Sequence, residues 1–284
     1  MTIGKTRPLP PRPGPPAPQR EVRGVLHRLP AGEFAHARLA PPADLADRIE
    51  HFWCVRWNLE GLPPHLQETL PHPNVHLVVE PGRADFWGVH GGRWTRELEG
   101  RSFAFGVKFR PGGFRAWFGR PVSELADASL PAAALLRDGA ARLAAAAEWG
   151  PDEGAASFAA ALLREHLPPA DDDALLAGRI VDAAAADLEL RAASELAQRF
   201  GLSLRALQRL FSEYVGVGPK WVINRYRIHE AVARVQEGQP ASWAHLAQAL
   251  GYFDQAHFIA DFRRLTGRTP GDYARVHHGA GPGS

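Results

Sequence analysis

Short segments of hydrophobic residues mixed with polar ones fill the first part of the chain. Four of them predict β-strands: residues 76–80 (HLVVE), 84–90 (ADFWGVH), 93–99 (RWTRELE) and 103–109 (FAFGVKF). Gly and Pro clusters follow three of these segments, as expected of turns. The pattern therefore predicts a small antiparallel sheet or barrel.

The hydrophobic pattern changes between about residues 122 and 166, where Ala and Leu dominate. Such a composition favours short packed helices, which would either close the sheet domain or pair subunits. The segment 167–173 (LPPADDD) then breaks the pattern with two prolines and three acids. It predicts a linker that ends in the N-cap of a helix.

Beyond this linker the chain repeats itself. Residues 196–219 (LAQRFGLSLRALQRLFSEYVGVGP) match residues 246–270 (LAQALGYFDQAHFIADFRRLTGRTP) at offsets of 50 and then 51. Each copy predicts a short helix, a Gly that ends it, and a second helix capped by Ser203 or Asp254. The repeat therefore predicts two helix-turn-helix units.

The first unit predicts a clear division between buried and exposed positions. Leu207, Leu210 and Phe211 share one face at helical spacing, which leaves Arg205, Gln208 and Arg209 on the outer face. Between the units, residues 219–238 predict one helix that starts at Pro219 and ends at Gly238. About eighteen helical residues span roughly 27 Å, close to the ~34 Å between successive major grooves on one side of B-DNA.

The residues from about 175 to 277 resemble the DNA-binding domain of the AraC/XylS family of transcription regulators. The matching motifs are SLRALQRLF (203–211), VGVGPKWVINRYRIHEA (215–231) and LGYFDQAHFIADFRRLTGRTPGDY (250–273). The resemblance implies base contacts by Arg205, Gln208 and Arg209 in the first unit and by Gln255, Ala256 and His257 in the second, with Ser203 beginning the first recognition helix.

The chemistry of these side chains agrees with the resemblance. Arg binds the O6 and N7 edge of guanine with two hydrogen bonds, and Gln suits adenine. Phosphate contacts, which position a protein without selecting sequence, are assigned to a second group of cations: Lys220, Arg225, Arg263, Arg264 and Arg268. Residues 69–125 also resemble the cupin-like N-terminal domain fused to many AraC-type modules, which by analogy senses a small molecule or pairs subunits.

Composition and charge narrow the function further. The net charge of +2 is too small to prove nucleic-acid binding, and the single cysteine, Cys54, fits a reducing compartment. No apolar run long enough for a membrane span occurs, so we expect a cytoplasmic protein with no membrane partner. The aromatic surroundings of Cys54 (HFWCVRW) predict a buried thiol.

A metal site is an alternative hypothesis for the first domain, because imidazole and thiolate side chains suit zinc or iron. The candidate ligands are His51, Cys54, His65, His72 and His76. Their spacing lacks the close histidine pair, acid and distant histidine of a cupin metal site. No metal, cofactor or catalytic residue is therefore predicted.

We thus expect an α+β protein: a disordered Pro-rich arm (1–20), a β-rich sensor or dimerisation domain (21–168), an all-α DNA-binding domain (174–278) and a disordered tail (279–284). The predicted function is sequence-specific regulation of transcription on double-stranded DNA, in response to an unidentified small-molecule effector. A homodimer and RNA polymerase are open as partners. A cupin-type metalloenzyme and an effector-independent architectural DNA binder are the alternatives.

Overall fold

The computed structural model describes residues 33–149, 152–165, 169, 171–238 and 242–278. The predictions for the arm (1–20) and the tail (279–284) lie outside this part of the chain. The predicted division at 167–173 stays a prediction, because residues 166–168 and 170 also lie outside it. Among the described residues, no helix combines the length and the apolar character that crossing a membrane requires.

In the described part of the chain, eight strands form two antiparallel sheets. Their bounds are β1 (Glu33–Leu39), β2 (Ile49–Asn58), β3 (His65–Thr69), β4 (His76–Glu80), β5 (Arg83–Trp87), β6 (Trp94–Leu98), β7 (Arg101–Phe109) and β8 (Ser129–Pro131). Six strands pair in the order β1-β2-β7-β4-β5-β8, and β3 pairs with β6. The four predicted strands are confirmed as β4 to β7, whereas β1, β2, β3 and β8 were not predicted.

The six-stranded sheet has an apolar face and a more polar face. Phe52 and Phe105, on the central strands β2 and β7, contribute to a large hydrophobic core on the first face. On the second face the ring of Trp53 lies directly over Gly106, where a Cβ atom would come within 2.1 Å of the indole. Only glycine fits beneath this ring, because a closer approach of carbon atoms is sterically forbidden.

Among the described residues, four short helices cover the apolar face, and the last three lie in the region where the Ala-rich composition predicts helices. They are α1 (Arg115–Phe118), α2 (Ala133–Leu136), α3 (Gly139–Trp149) and α4 (Asp152–Glu165). Leu143 of α3 and Leu163 of α4 are fully buried against the sheet. The helices therefore close the core of the N-terminal domain.

Seven helices form the described residues of the C-terminal part. They are α5 (Asp172–Ala186), α6 (Ala193–Arg199), α7 (Leu204–Tyr214), α8 (Pro219–Gln236), α9 (Trp243–Ala249), α10 (Gln255–Thr266) and α11 (Pro270–His278). The predicted N-cap is Asp171, whose side chain accepts from the backbone N–H groups of Asp173 and Ala174. These elements and the preceding sheets make the α+β fold that the sequence predicts.

These helices contribute to two hydrophobic cores. The first joins α5, α6, α7 and the start of α8, and the second joins the rest of α8 with α9, α10 and α11. Leu70, from the N-terminal domain, is fully buried in the second core. The N-terminal domain therefore packs directly on the second helix-turn-helix unit.

The N-terminal domain also contacts the end of α7. The backbone N–H of Gly112 donates to the carbonyl of Tyr214 at 3.1 Å, and Arg115 Nε donates to Glu213 at 2.6 Å. Because the first helix-turn-helix unit ends here, both units have contacts with the N-terminal domain.

Candidate nucleic-acid interface

The first unit consists of α6, α7 and the turn between them. Gly201 takes a left-handed conformation, with φ of +67°, that ends α6 without steric cost. The hydroxyl of Ser203 then accepts from the backbone N–H of Ala206 at 3.1 Å and caps α7. Leu207 and Phe211 are fully buried, so α7 is held at a fixed angle against the first core.

The outer face of α7 carries the three side chains that the sequence assigns to base contacts. Arg205, Gln208 and Arg209 are all exposed. Within the described chain, none of them has a hydrogen-bond or ion-pair partner. Their spacing of three and four residues places them side by side over one helical turn. The first unit therefore offers a compact set of hydrogen-bond donors to a ligand outside the protein.

The second unit, α9, α10 and the turn between them, repeats this construction. Gly251 has φ of +72°, and the carboxylate of Asp254 accepts from the backbone N–H of His257 at 2.7 Å. Phe258 and Phe262 are fully buried in the second core. The caps predicted for both units and the core positions predicted for the first unit are thus confirmed.

The exposed face of α10 differs chemically from that of α7. Gln255, Ala256 and His257 are exposed at its first turn. The imidazole of His257 lies 3.8 Å from the carboxylate of Asp261, and its ring meets Tyr252 edge-on. His257 therefore has intramolecular contacts, and Gln255 is the freer hydrogen-bonding group.

The spacer helix α8 connects the two units. Val222 and Ile223 lie in the first core, and Ile228, Val232 and Val235 lie in the second. One rigid helix thus belongs to both cores, which fixes the two recognition helices relative to each other. Lys220, in its first turn, is exposed as expected for a phosphate contact.

The predicted phosphate contact of Arg225 is corrected by the structure. Arg225 is only 1% exposed, and its guanidinium donates to the carbonyl oxygens of Gly91 at 2.5 Å and Gly92 at 3.3 Å. The same guanidinium lies 4.3 Å from the centre of the Trp221 ring. Burial lowers the pKa of Arg225 to about 9, so it stays protonated at pH 7. Its partner is the N-terminal domain and not an outside phosphate.

The remaining predicted phosphate contacts have different surroundings. Arg263 and Arg264 are both exposed, and Arg264 donates to Asp261 at 2.8 Å. Arg268 lies 3.7 Å from the buried carboxylate of Glu68 in the N-terminal domain. Because the guanidinium groups of Arg263 and Arg264 lie at the surface, both stay accessible to an anion.

A buried polar cluster occupies the second face of the large sheet. Lys108 donates to Glu50 at 2.9 Å, and both His51 and His76 lie nearby. Burial alone would raise the pKa of Glu50, but Lys108 and His51 together outweigh it and the net pKa is lowered. Burial lowers the pKa of His76 to about 3. Burial, with a further contribution from the Glu50 carboxylate, raises the pKa of Tyr226 in the spacer helix.

The alternative metal site is not assembled. Among the described residues, no three His, Cys, Asp or Glu side chains are grouped to hold a metal ion. The ring of His72 stacks instead on His229 of the spacer helix, with ring centres 4.0 Å apart. Cys54 is 2% exposed, which confirms the buried thiol.

Comparisons with known proteins match two separate parts of the chain. Residues 37–131 match a domain of unknown function (DUF6597), and residues 196–275 match a helix-turn-helix domain. The chain is 37% identical over 75 residues to the transcriptional activator RhaS of Pectobacterium carotovorum, which covers 26% of each protein. It is 33% identical over 82 residues to an AraC-like transcription regulator of Streptomyces lividans, covering 29% of this chain and 27% of that one.

The matched region spans about a quarter of the length of these relatives. A solved AraC-type transcriptional regulator from Chromobacterium violaceum is 27% identical, with a TM-score of 0.32 over 37% of this chain and 91% of its own. The matched sequence coincides with the two units and the spacer helix described above. Residues 196–275 therefore form an AraC-type helix-turn-helix domain, which follows an N-terminal domain of unknown function in the same chain.

Proposed function

We propose that this protein is a sequence-specific DNA-binding regulator of transcription that acts in the cytoplasm and has no catalytic role of its own. The observation that carries the proposal is the pair of capped recognition helices joined by one rigid helix. Arg205, Gln208 and Arg209 are base contacts in this proposal, as are Gln255 and His257. Lys220, Arg263 and Arg264 bind phosphates.

Selection of bound sequences from random duplex DNA tests this function. The full chain should enrich a motif with two parts about one helical turn, roughly 10 base pairs, apart. A double variant, Arg205→Ala with Arg209→Ala, should lose the first part of the motif and keep the second. Absence of any enriched sequence at low salt would overturn the proposal.

The N-terminal domain is proposed to sense a small-molecule effector. The support is the buried cluster of Glu50, Lys108, His51 and His76 in a domain that contacts the spacer helix, where Arg225 donates to Gly91. A ligand that alters this cluster would act on the helix that fixes both units. Pairing of two copies and contact with RNA polymerase complete the proposed mode of action.

A thermal-shift screen followed by DNA titration tests the sensor role. An effector must bind one DNA-affinity state better than the other, since equal affinity shifts no equilibrium. A hit that stabilises the protein should therefore also change its affinity for the selected site. If every stabilising hit leaves that affinity unchanged, the effector-independent architectural role replaces the sensor role.

A further inference from the structure

Phe253 is the most exposed large hydrophobic side chain in the described chain. It is 97% exposed, whereas the next, Val276, is 54% exposed. Exposure of a phenyl ring to water is unfavourable, and contact with another molecule at this surface would bury the ring.

The turn holds Phe253 in place. The preceding Tyr252 is buried, and its backbone N–H donates to the carbonyl of Ala247 at 2.9 Å. The following Asp254 caps α10 through its side chain. Because both neighbours are fixed, the ring of Phe253 cannot fold back into the core and projects beside the first turn of the recognition helix.

The surroundings of Phe253 favour DNA as the molecule that covers it. The ring continues the exposed surface of Gln255, Ala256 and His257, where a recognition helix contacts bases. The exposed Arg191 lies beside the same turn, its Cγ 3.7 Å from the position of an ideal Cβ on Gly251. In such a pair the cation would contact a DNA phosphate, and the apolar group would contact the edge of a neighbouring base.

The chemistry of this surface points to one base. Beside the polar Gln255 and His257, the exposed positions of α10 include Ala256 and Ala260, which offer only apolar contact. In the major groove the C5-methyl group of thymine is the feature that apolar side chains contact. The face of α7 carries Arg205, Gln208 and Arg209 instead, which suit guanine and adenine.

We infer that Phe253 is a specificity-determining residue of the second unit, which packs on a thymine methyl group in the major groove. The two units then differ in what they recognise: the first binds purine edges through hydrogen bonds, and the second adds an apolar contact to thymine beside Gln255 and His257. This inference rests on the proposed DNA-binding function.

Replacement of single thymines by deoxyuridine in the selected site tests the inference, because it removes the methyl group and keeps base pairing. The wild-type chain should lose about three- to five-fold in affinity at one position of the second half-site, as expected for one buried carbon. Phe253→Ala should bind the thymine duplex less tightly and should no longer distinguish it from the deoxyuridine duplex. Phe253→Leu should recover part of the discrimination.

Val276→Ala provides the matched control, since it removes an exposed apolar side chain from α11. It should behave as wild type on both duplexes. The inference is wrong if Phe253→Ala loses the same affinity on both duplexes and so still distinguishes the thymine methyl group. It is also wrong if Phe253→Ala changes the oligomeric state measured by sedimentation. Either result would leave the proposed DNA-binding function intact. If the wild-type chain enriches no sequence at all, the proposed function fails together with the inference.

Discussion

The guanidinium of Arg225 donates a hydrogen bond of 2.5 Å to the carbonyl oxygen of Gly91. This contact joins the spacer helix to the turn between β5 and β6, over 134 residues of sequence. The turn is itself held by Asp127, whose carboxylate accepts from the backbone N–H of Gly91 at 2.7 Å. The N-terminal domain therefore contacts the spacer helix that fixes the geometry of the two recognition helices.

Replacement of Arg225 should destabilise the protein more than replacement of an exposed cation. Arg225→Ala leaves the carbonyls of Gly91 and Gly92 without their donor, which should lower the free energy of unfolding by about 2 to 3 kcal/mol. Lys220→Ala should change it by less than about 0.5 kcal/mol. Urea unfolding of both variants measures the difference. Wild-type stability of Arg225→Ala, together with a weaker salt dependence of DNA binding, would restore its role as a phosphate contact.

Base contact and phosphate contact should separate in the first unit. Arg209→Ala removes a proposed bidentate base contact, so we expect a loss of about 1 to 3 kcal/mol on the selected site and relaxed choice at one base pair. Lys220→Ala should weaken binding to all duplexes alike and reduce the salt slope by about one counterion. Titrations on selected and scrambled duplexes at several salt concentrations measure both. Equal losses of Arg209→Ala on the two duplexes would contradict its base-contacting role.

Stability should fall in mild acid because of His76. Burial, together with the Lys108 ammonium, lowers the pKa of this imidazole to about 3, whereas an unfolded chain has a histidine pKa of about 6.5. Between these values the unfolded chain binds a proton that the folded chain does not. The free energy of unfolding should therefore fall as pH decreases below 6.5, by up to about 1.4 kcal/mol per pH unit.

Chemical unfolding at pH 7.5, 6 and 5 measures this slope. His76→Gln should have a shallower slope than the wild type, although His51, whose pKa is also lowered by burial, contributes in the same direction. An unchanged slope in His76→Gln would refute the assignment.

The thiol of Cys54 should be inert in the folded protein. Burial, with a further contribution from the Asp152 carboxylate, raises its pKa to about 12, so hardly any reactive thiolate exists at pH 8. A thiol reagent should modify no cysteine in the native chain and one equivalent after unfolding. Cys54→Ala is the control, which should stay unmodified in both states. Rapid modification of the native protein would contradict the buried placement of Cys54.

The sequence by itself determined the local features of both helix-turn-helix units. Ser203 and Asp254 cap their helices, and Leu207 and Phe211 are buried as the period of 3.6 predicts. These features act between residues at most four positions apart, so neighbouring residues suffice to specify them. The exposed face of α7 follows from the same period.

Only the tertiary structure decided the role of residues whose partners are distant in sequence. The charge of Arg225 and its position in the spacer helix predict a phosphate contact, yet the β5–β6 turn buries this side chain. Leu70 completes the core of the second unit although it belongs to the N-terminal domain. Phe253 is exposed because Tyr252, and not Phe253, occupies the core. In each case the outcome depends on which surfaces meet after the chain has folded, and no local period or cap encodes that contact.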